Sequence, residues 1–344
     1  MKRLRILTFC TIFLSSLIFF YQKRIPTTIA NGEGLIIKKE WLLSNKNPIT
    51  PKNDVRPADQ TFLTFPEWYL VFSPEEQANY YKKQTATSFP FMSHTRQIWE
   101  SYHIVNNQIK GNFPPNDDYH FMIWVIGTSA SIEYAIKAWY ETILGRITDT
   151  YTPKTDEDKF NAKFTDDYVT FIKDKPWYEF DFKSRLKNLW TENSFIGDNF
   201  FRKIERKYIL TSELIVKWGY GKLIGLGTQQ AYEKALPTTA VVLQDNSIVN
   251  LPRYDKFNEA ITELSKNGKS FKEIAGNNSA ILLTVLIPTN KQMKFENTQI
   301  IFTQPITSDT SNQRIALAIP VEKLNGLLTK LDKEKIKIEH IFDY

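Results

Sequence analysis

The chain changes character at residues 236–243, which read Leu-Pro-Thr-Thr-Ala-Val-Val-Leu. Before Pro237 the sequence consists mainly of long segments with the apolar period of helices, and after it short β-branched runs alternate with turn residues. Because a proline in a helix interior kinks or breaks the helix, Pro237 is predicted to end the last long helical segment. The sequence therefore predicts an α+β protein, with a mostly α-helical domain at 61–237 and a mixed α/β domain at 238–344.

The residues after Pro237 predict a sheet covered by helices. Strands are expected at 238–243, 270–275, 280–287, 299–303, 314–319 and 336–342, and helices at 254–265 and 321–331. Two helices that cross over a mostly antiparallel sheet are typical of a ferredoxin-like sandwich. Residues 238–344 are therefore predicted to form a ferredoxin-like α+β domain.

The helical domain carries several start and packing signals. Thr64 and Ser73 are each followed by a proline within two residues and, three residues on, by a glutamate, so each predicts a helix N-terminus. Further helices are expected at 91–108, 119–145, 155–174, 182–190 and 200–236. Gly127, Ser131 and Ala135 share one helix face, as Gly221 and Gly225 do in the last helix, and we expect these two small-residue faces to pack together.

The first 24 residues predict a membrane anchor. Three basic residues precede an uncharged run from Ile6 to Tyr21, and Lys23 and Arg24 come after it. At 1.5 Å per residue the run spans about 24 Å, and the flanking cations can extend to the headgroups of a bilayer core of about 30 Å. A signal peptide cleaved after residue 30 is the alternative, although the two cations after the run argue against cleavage. Residues 25–60, with four prolines, predict a linker.

Three strings resemble those of a family of membrane-anchored bacterial proteins without a characterised activity. They are Phe-Pro-Glu-Trp-Tyr at 65–69, Pro-Trp-Tyr-Glu-Phe-Asp-Phe at 176–182 and Ile-Glu-His-Ile-Phe-Asp-Tyr at 338–344. The resemblance covers most of the chain after residue 60 and implies a bacterial envelope setting, but no activity or cofactor. A short basic segment before an apolar run favours export of the downstream chain. We therefore expect a single-pass protein of the bacterial inner membrane, with the bulk of the chain in the periplasm.

Charge and composition argue against nucleic-acid binding. The net charge is +6, and the lysines are interleaved with 38 acidic residues. The densest basic run, Arg-Lys-Ile-Glu-Arg-Lys at 202–207, contains a glutamate and is interpreted as a solvated helix face. The predicted strands 280–287 and 314–319 contain no aromatic residue on which RNA bases would stack. We expect no nucleic-acid partner.

Motifs for cofactors and metals are missing from the sequence. Gly219, Gly221 and Gly225 miss the dinucleotide-binding spacing by one residue and lie in a helical segment. None of the four histidines has the spacing of a metal site, and the single cysteine, Cys10, lies in the apolar run. No cofactor or metal is expected.

Three residues are candidates for catalysis, each with a simpler structural interpretation. Glu67 lies among aromatic residues, where it is expected to serve the cap at Thr64. His120 is placed in the first turn of a helix beside acidic residues. Glu133 begins the series Glu133-Lys137-Glu141, which is interpreted as a surface ladder of ion pairs.

These patterns favour a non-catalytic module that binds a protein or peptide. An enzyme that uses carboxylates, and a sensor that binds a small ligand in its C-terminal domain, remain alternatives. A pocket that gathers two of the candidate residues favours the enzyme, whereas a large exposed apolar patch favours binding. The segments 121–132 and 214–226 are too short or too charged to span a bilayer, which leaves a position on the membrane surface as a further alternative. The identity of the partner and the oligomeric state stay open.

Overall fold

The computed structural model describes residues 37–150, 154–194, 196–232, 238–291 and 295–343. Within them the protein is α+β, with helices and two small antiparallel sheets, which confirms the predicted class. The described residues form two compact units that are interleaved along the chain. Unit 1 comprises Leu70–Arg96 and Thr128–Thr228, and unit 2 comprises residues 37–69, Gln97–Gly127 and residues 238–343.

The first two thirds of the described chain are helical. The helices are α1 (Gln60–Lys83), α2 (Phe91–Ile109), α3 (Asp117–Tyr140), α4 (Asp156–Ile172), α5 (Phe182–Thr191) and α6 (Phe200–Tyr232). A π-turn at Glu141–Gly145 and a last turn at Arg146–Thr148 come after α3. The predicted start of α4 is confirmed, because the Thr155 hydroxyl accepts a hydrogen bond from the Asp158 amide and the Asp158 carboxylate accepts one from the Thr155 amide.

Helix α1 corrects the two helix starts predicted at Thr64 and Ser73. It is continuous through Pro66 and Pro74, so neither residue is an N-cap. The Thr64 hydroxyl donates to the Gln60 carbonyl at 2.6 Å, and Ser73 is buried. A buried apolar face runs along the helix on both sides of Pro66, and this burial outweighs the local capping signals.

The strands of unit 2 divide between two sheets. The first, in the order β2-β1-β3, contains β1 (Thr238–Leu243), β2 (Ile248–Pro252) and β3 (Phe271–Ile274). The second, in the order β5-β6-β4-β7, contains β4 (Ala280–Pro288), β5 (Gln299–Pro305), β6 (Asn312–Pro320) and β7 (Lys337–Ile341). Helix α7 (Asp255–Lys266) joins β2 to β3, and α8 (Leu324–Lys333) joins β6 to β7.

This arrangement does not confirm the specific ferredoxin-like sandwich. Two sheets replace the single predicted sheet. Helix α7 joins two strands of the first sheet, and α8 joins two strands of the second. The sequence prediction also missed β2, which ends in Pro252. That strand lies at the edge of its sheet, where a proline is tolerated because one side of the strand forms no ladder.

Strand β4 organises the core of unit 2. Ile281, Leu283 and Val285 are buried in an apolar cluster that also contains residues of α7 and α8. The opposite face of the sheet meets α1, where the Phe65 and Phe302 rings pack with centroids 4.7 Å apart. The Leu282 amide also donates to the Thr61 hydroxyl at 3.0 Å. Because both faces are covered, the strand is apolar on both sides apart from the buried Thr284, and it does not alternate between apolar and polar residues.

The segment before α1 is fixed on unit 2. Ile37 and Leu42 are buried, and the backbone amides of Ile49 and Thr50 donate to the Glu273 carboxylate at 2.9–3.0 Å. Burial opposes the ionisation of Glu273, but these hydrogen bonds outweigh it and lower the pKa of the carboxyl. The chain is therefore held on the β-rich unit from residue 37 onward.

The predicted pairing of small-residue faces is wrong. A Cβ atom on Gly127 would lie 3.2 Å from the Trp99 ring. The missing side chain therefore lets the indole ring of Trp99, in α2, pack closely against α3. Gly221 and Gly225 instead lie against Tyr178, at 3.4 Å from an added Cβ. Helical spacing shows which residues share a face, but not which neighbour that face meets.

Among the described helices, none has the length and apolar character needed to cross a membrane. The predicted anchor at residues 6–21 lies outside the described residues.

Candidate functional site

Glu67, the first catalytic candidate, is tied to α3 within unit 2. The Tyr119 hydroxyl donates to Glu67 Oε2 at 2.5 Å and lies 2.9 Å from the Thr64 hydroxyl. Burial raises the pKa of Glu67, while the Tyr119 hydrogen bond and the charge of Arg253 act in the opposite direction. Glu67 is thus a desolvated carboxyl with a raised pKa, and it does not serve a helix cap.

His120, the second candidate, has different partners. Its Nδ1 atom lies 2.9 Å from the Tyr102 hydroxyl. Asp59 accepts a hydrogen bond from the Asn116 side chain at 3.3 Å; burial raises the pKa of Asp59, and His120 partly offsets that shift. His120 does lie in the first turn of α3, as predicted, and its contacts do not include Glu67.

Glu133, the third candidate, belongs to a network of four charges in unit 1. Lys137 lies 2.9 Å from Glu133 and 2.8 Å from Glu213, and Lys217 lies 3.1 Å from both carboxylates. The network therefore joins α3 to α6 and is not a surface ladder along α3. Lys137, Glu213 and Lys217 are only 15%, 13% and 17% exposed.

The charges of this network stabilise one another. Burial opposes ionisation of Glu133, but Lys217 and Lys137 outweigh it and hold the pKa of Glu133 at about 2. Burial likewise opposes the charge of Lys217, yet the two glutamates raise its pKa above its usual value. All four groups are ionised at neutral pH, so the network carries no net charge and no group poised for proton transfer.

Glu141, the last member of the predicted ladder, instead forms a buried ion pair with Arg206. The guanidinium donates to both carboxylate oxygens, at 2.8 and 2.9 Å, and the Arg206 side chain is fully buried. Arg202 similarly pairs with Asp158 at 2.9 Å, and Lys203 lies 3.2 Å from Glu157. The basic run 202–207 is therefore not the solvated face that its composition suggested.

The partners of the basic run explain this difference. The acids belong to α4 and to the π-turn after α3, which are 44 to 65 residues away in sequence. A local charge pattern cannot show such pairs, because they form only when the helices pack. The one sequence signal was the density of the basic run itself.

A buried polar cluster in unit 1 has the composition of a catalytic triad. The Ser73 hydroxyl lies 2.8 Å from His94 Nδ1 and 2.7 Å from the Tyr134 hydroxyl, and His94 Nε2 lies 3.7 Å from Glu76. All four side chains are less than 5% exposed. A nucleophile needs access to its substrate, so this arrangement is a satisfied polar core rather than a site for acyl transfer.

Unit 1 exposes many large apolar side chains on two neighbouring helices. Helices α3 and α6 are antiparallel neighbours, since Glu133 meets Lys217, whereas Glu141, further along the chain, meets Arg206, which comes earlier in α6. Nine large apolar side chains of these two helices are exposed, and we call them the apolar face. They are Ile132, Ile136, Trp139, Phe201, Tyr208, Ile215, Val216, Leu223 and Leu226. Leu226 is 81% exposed, Phe201 79% and Leu223 70%.

The spacing of the α6 residues of this face places them on one side of the helix. They lie at 201, 208, 215, 216, 223 and 226, and because seven residues make about two helical turns, they share one side of the helix over about 38 Å. A freely exposed aromatic side chain alone presents on the order of 150–250 Å². The two aromatic and four aliphatic side chains on this side of α6 together present an area on the order of the roughly 300–600 Å² of the largest patch on a typical monomer.

No predicted catalytic residue lies in the small surface pocket of unit 1 that the structure shows. That pocket is lined by Phe160, Lys163, Phe164, Arg185, Asn188 and Glu192. Within the described part of the chain, no cluster of three or more His, Cys, Asp or Glu residues has the geometry to hold a metal ion. Comparisons with protein-family models, with curated proteins and with solved structures find no match.

Proposed function

We propose that the protein is a non-catalytic binding module of the bacterial envelope. Its N-terminal apolar run anchors it in the inner membrane, the remainder lies in the periplasm, and unit 1 docks on another envelope component through the apolar face. The observation that carries the proposal is the exposure of that face. Water contact with so much aliphatic and aromatic surface is unfavourable, by about 25 cal/mol for each Å², and docking removes it.

The state of the candidate catalytic residues supports binding rather than chemistry. Glu133 is held ionised by two lysines, and His120 and Glu67 have separate hydrogen-bond partners. Their contacts therefore account for them as structural residues.

The proposal is tested by the chemical accessibility of the apolar face in native membranes. In a Cys10→Ser background, single cysteines replace Val216 or Leu223 on the face, or Lys187, an exposed residue of α5, as the matched control. Membranes broken open so that both sides are reachable are treated with a water-soluble maleimide. We expect strong labelling of Lys187→Cys and at least tenfold slower labelling at the two face positions, with equal labelling after denaturation.

Equal rates at all three positions in native membranes would mean that the face is open to water. In that case nothing docks on it, and the binding proposal is wrong.

A further inference from the structure

We infer that the component covering the apolar face is lipid, and that α3 and α6 seat this face in the interfacial layer of a bilayer. The inference rests on the proposed function, because it names the partner of the same surface. It makes the face a membrane-docking surface rather than a binding site for a protein or peptide.

The placement of charge in the two helices favours lipid. A surface that binds a protein has a polar, hydrogen-bonding rim around its apolar centre. Along α3 and α6 the arrangement is reversed, since Glu133, Lys137, Glu213 and Lys217 pair between the helices while isoleucine, valine and leucine point outward. Such pairing is what a lipid environment requires of ionisable groups, because an unpaired charge there is strongly unfavourable.

The kinds of side chain on the face and beside it also suit a bilayer interface. Trp139 and Tyr208 combine an apolar ring with a polar group, and such residues concentrate where hydrocarbon meets headgroups. Lys222 is exposed on α6, and Arg146 is exposed in the turn Arg146–Thr148 that comes after α3. Their long side chains can lie along apolar surface while the charged ends reach phosphate groups.

The length of chain between the anchor and the folded part keeps lipid close. The predicted anchor ends at Tyr21, and the chain is fixed on unit 2 from Ile37 onward. The sixteen intervening steps span at most about 55 Å when fully extended. An anchored chain therefore holds unit 2, on which Ile37 is fixed, within about 55 Å of the bilayer, so lipid is a constant neighbour of the anchored protein.

The experiment measures which medium surrounds the face. The full chain, in the Cys10→Ser background, carries a nitroxide on a single cysteine at Ile136, Val216 or Leu223, or at Lys187 as control. It is reconstituted into vesicles of phosphatidylethanolamine and phosphatidylglycerol. Collision rates are then measured with oxygen, which concentrates in hydrocarbon, and with a water-soluble nickel chelate. All four sites are exposed, so labelling leaves the core intact, and equal thermal midpoints verify this.

Docking on lipid predicts high oxygen and low nickel collision rates at the three face positions, with the opposite ratio at the control. A scan of single labels along 212–226 should repeat this pattern every three to four residues. Low rates with both reagents would mean that protein, including a second copy of this chain, covers the face. The lipid inference would then be wrong while the proposed binding function stands. High nickel rates at the face, together with rapid maleimide labelling in native membranes, would overturn both.

Discussion

At the scale of single residues, Glu67 provides a test of how burial controls a carboxyl group. Burial raises its pKa in the folded state, so the folded protein favours the protonated form more than the unfolded chain does. This contribution to stability is complete below the unfolded pKa of about 4.3 and is lost as pH rises through the folded pKa. Glu67→Gln, which can still accept the Tyr119 hydrogen bond, should therefore gain stability relative to the native protein as pH rises.

The measurement is the urea midpoint of both proteins between pH 4 and pH 8. We expect the two midpoints to converge at the acidic end and to separate toward neutrality, with the variant higher. A separation that instead grows on acidification would show that the Tyr119 and Arg253 interactions dominate and that the pKa of Glu67 is lowered.

The buried pair of Arg206 and Glu141 is the second test at this scale. Arg206→Met leaves the Glu141 carboxylate buried without its main partner, and we expect a loss of about 3–5 kcal/mol in the free energy of unfolding. The double replacement with Glu141→Met should lose less than the single one, because the carboxylate of Glu141 is gone and Glu205, the other partner of Arg206, keeps Thr148 and Arg202. Lys159→Met is the matched control, since its pair with Asp156 is exposed and contributes about 0–1 kcal/mol. The free energy of unfolding is measured by chemical denaturation for the native protein, the single variant, the double variant and the control. A loss for Arg206→Met no larger than that of the control would show that the pair is not buried.

At the scale of elements, what the sequence could predict depended on whether the signal was local. The start of α4 was predictable, because Thr155 and Asp158 satisfy each other's backbone amides within one turn. The extent of α1 was not, because burial along its length overrides the signals at Thr64 and Ser73. The candidate site obeys the same rule: the spacing of Glu133 and Lys137 predicted their pair, but only packing adds Glu213 from α6.

The close contact of α3 with α2 at Gly127 predicts how a larger side chain at this position changes stability. Gly127→Leu places a branched side chain where even a Cβ would lie 3.2 Å from the Trp99 ring, and overpacking of this kind typically costs about 1–3 kcal/mol. Gly219→Leu is the control, because a Cβ at this position in α6 meets nothing within 4 Å. The control should be neutral or slightly stabilising, since leucine favours helix over glycine. Equal thermal midpoints for the two variants would contradict the observed contact between α3 and α2.

At the scale of the whole molecule, the division into units was beyond the reach of the sequence. Helices α1, α2 and α3 each contribute residues to both units, although their sequences show no break at Tyr69, Arg96 or Gly127. Membership of a unit is decided by contacts between distant segments, such as the apolar ring contact of Phe65 with Phe302 at 4.7 Å. Composition along the chain shows only the change from helical to strand-forming sequence at Pro237. That change does not coincide with the points in α1, α2 and α3 where the chain passes from one unit to the other.

The membrane topology is the prediction that belongs to the whole chain. The three basic residues before Ile6 favour a cytoplasmic N-terminus, although Lys23, Arg24, Lys38 and Lys39 come after the apolar run and oppose that orientation. Because long segments are exported largely regardless of their charge, we expect the C-terminus to lie outside. A reporter that is active only in the periplasm, fused after Tyr344, should be active, and the intact mass of the untagged chain should show no cleavage.

Each alternative outcome affects a different proposal. An active reporter with a mass that begins after residue 30 would remove the anchor, and with it the limit of about 55 Å that keeps the folded part near the bilayer. The lipid inference would then depend on the paired charges and the exposed apolar side chains alone. An inactive reporter would place the folded part in the cytoplasm and contradict the proposed location, whereas docking of the apolar face would still be decided by the accessibility of Val216 and Leu223.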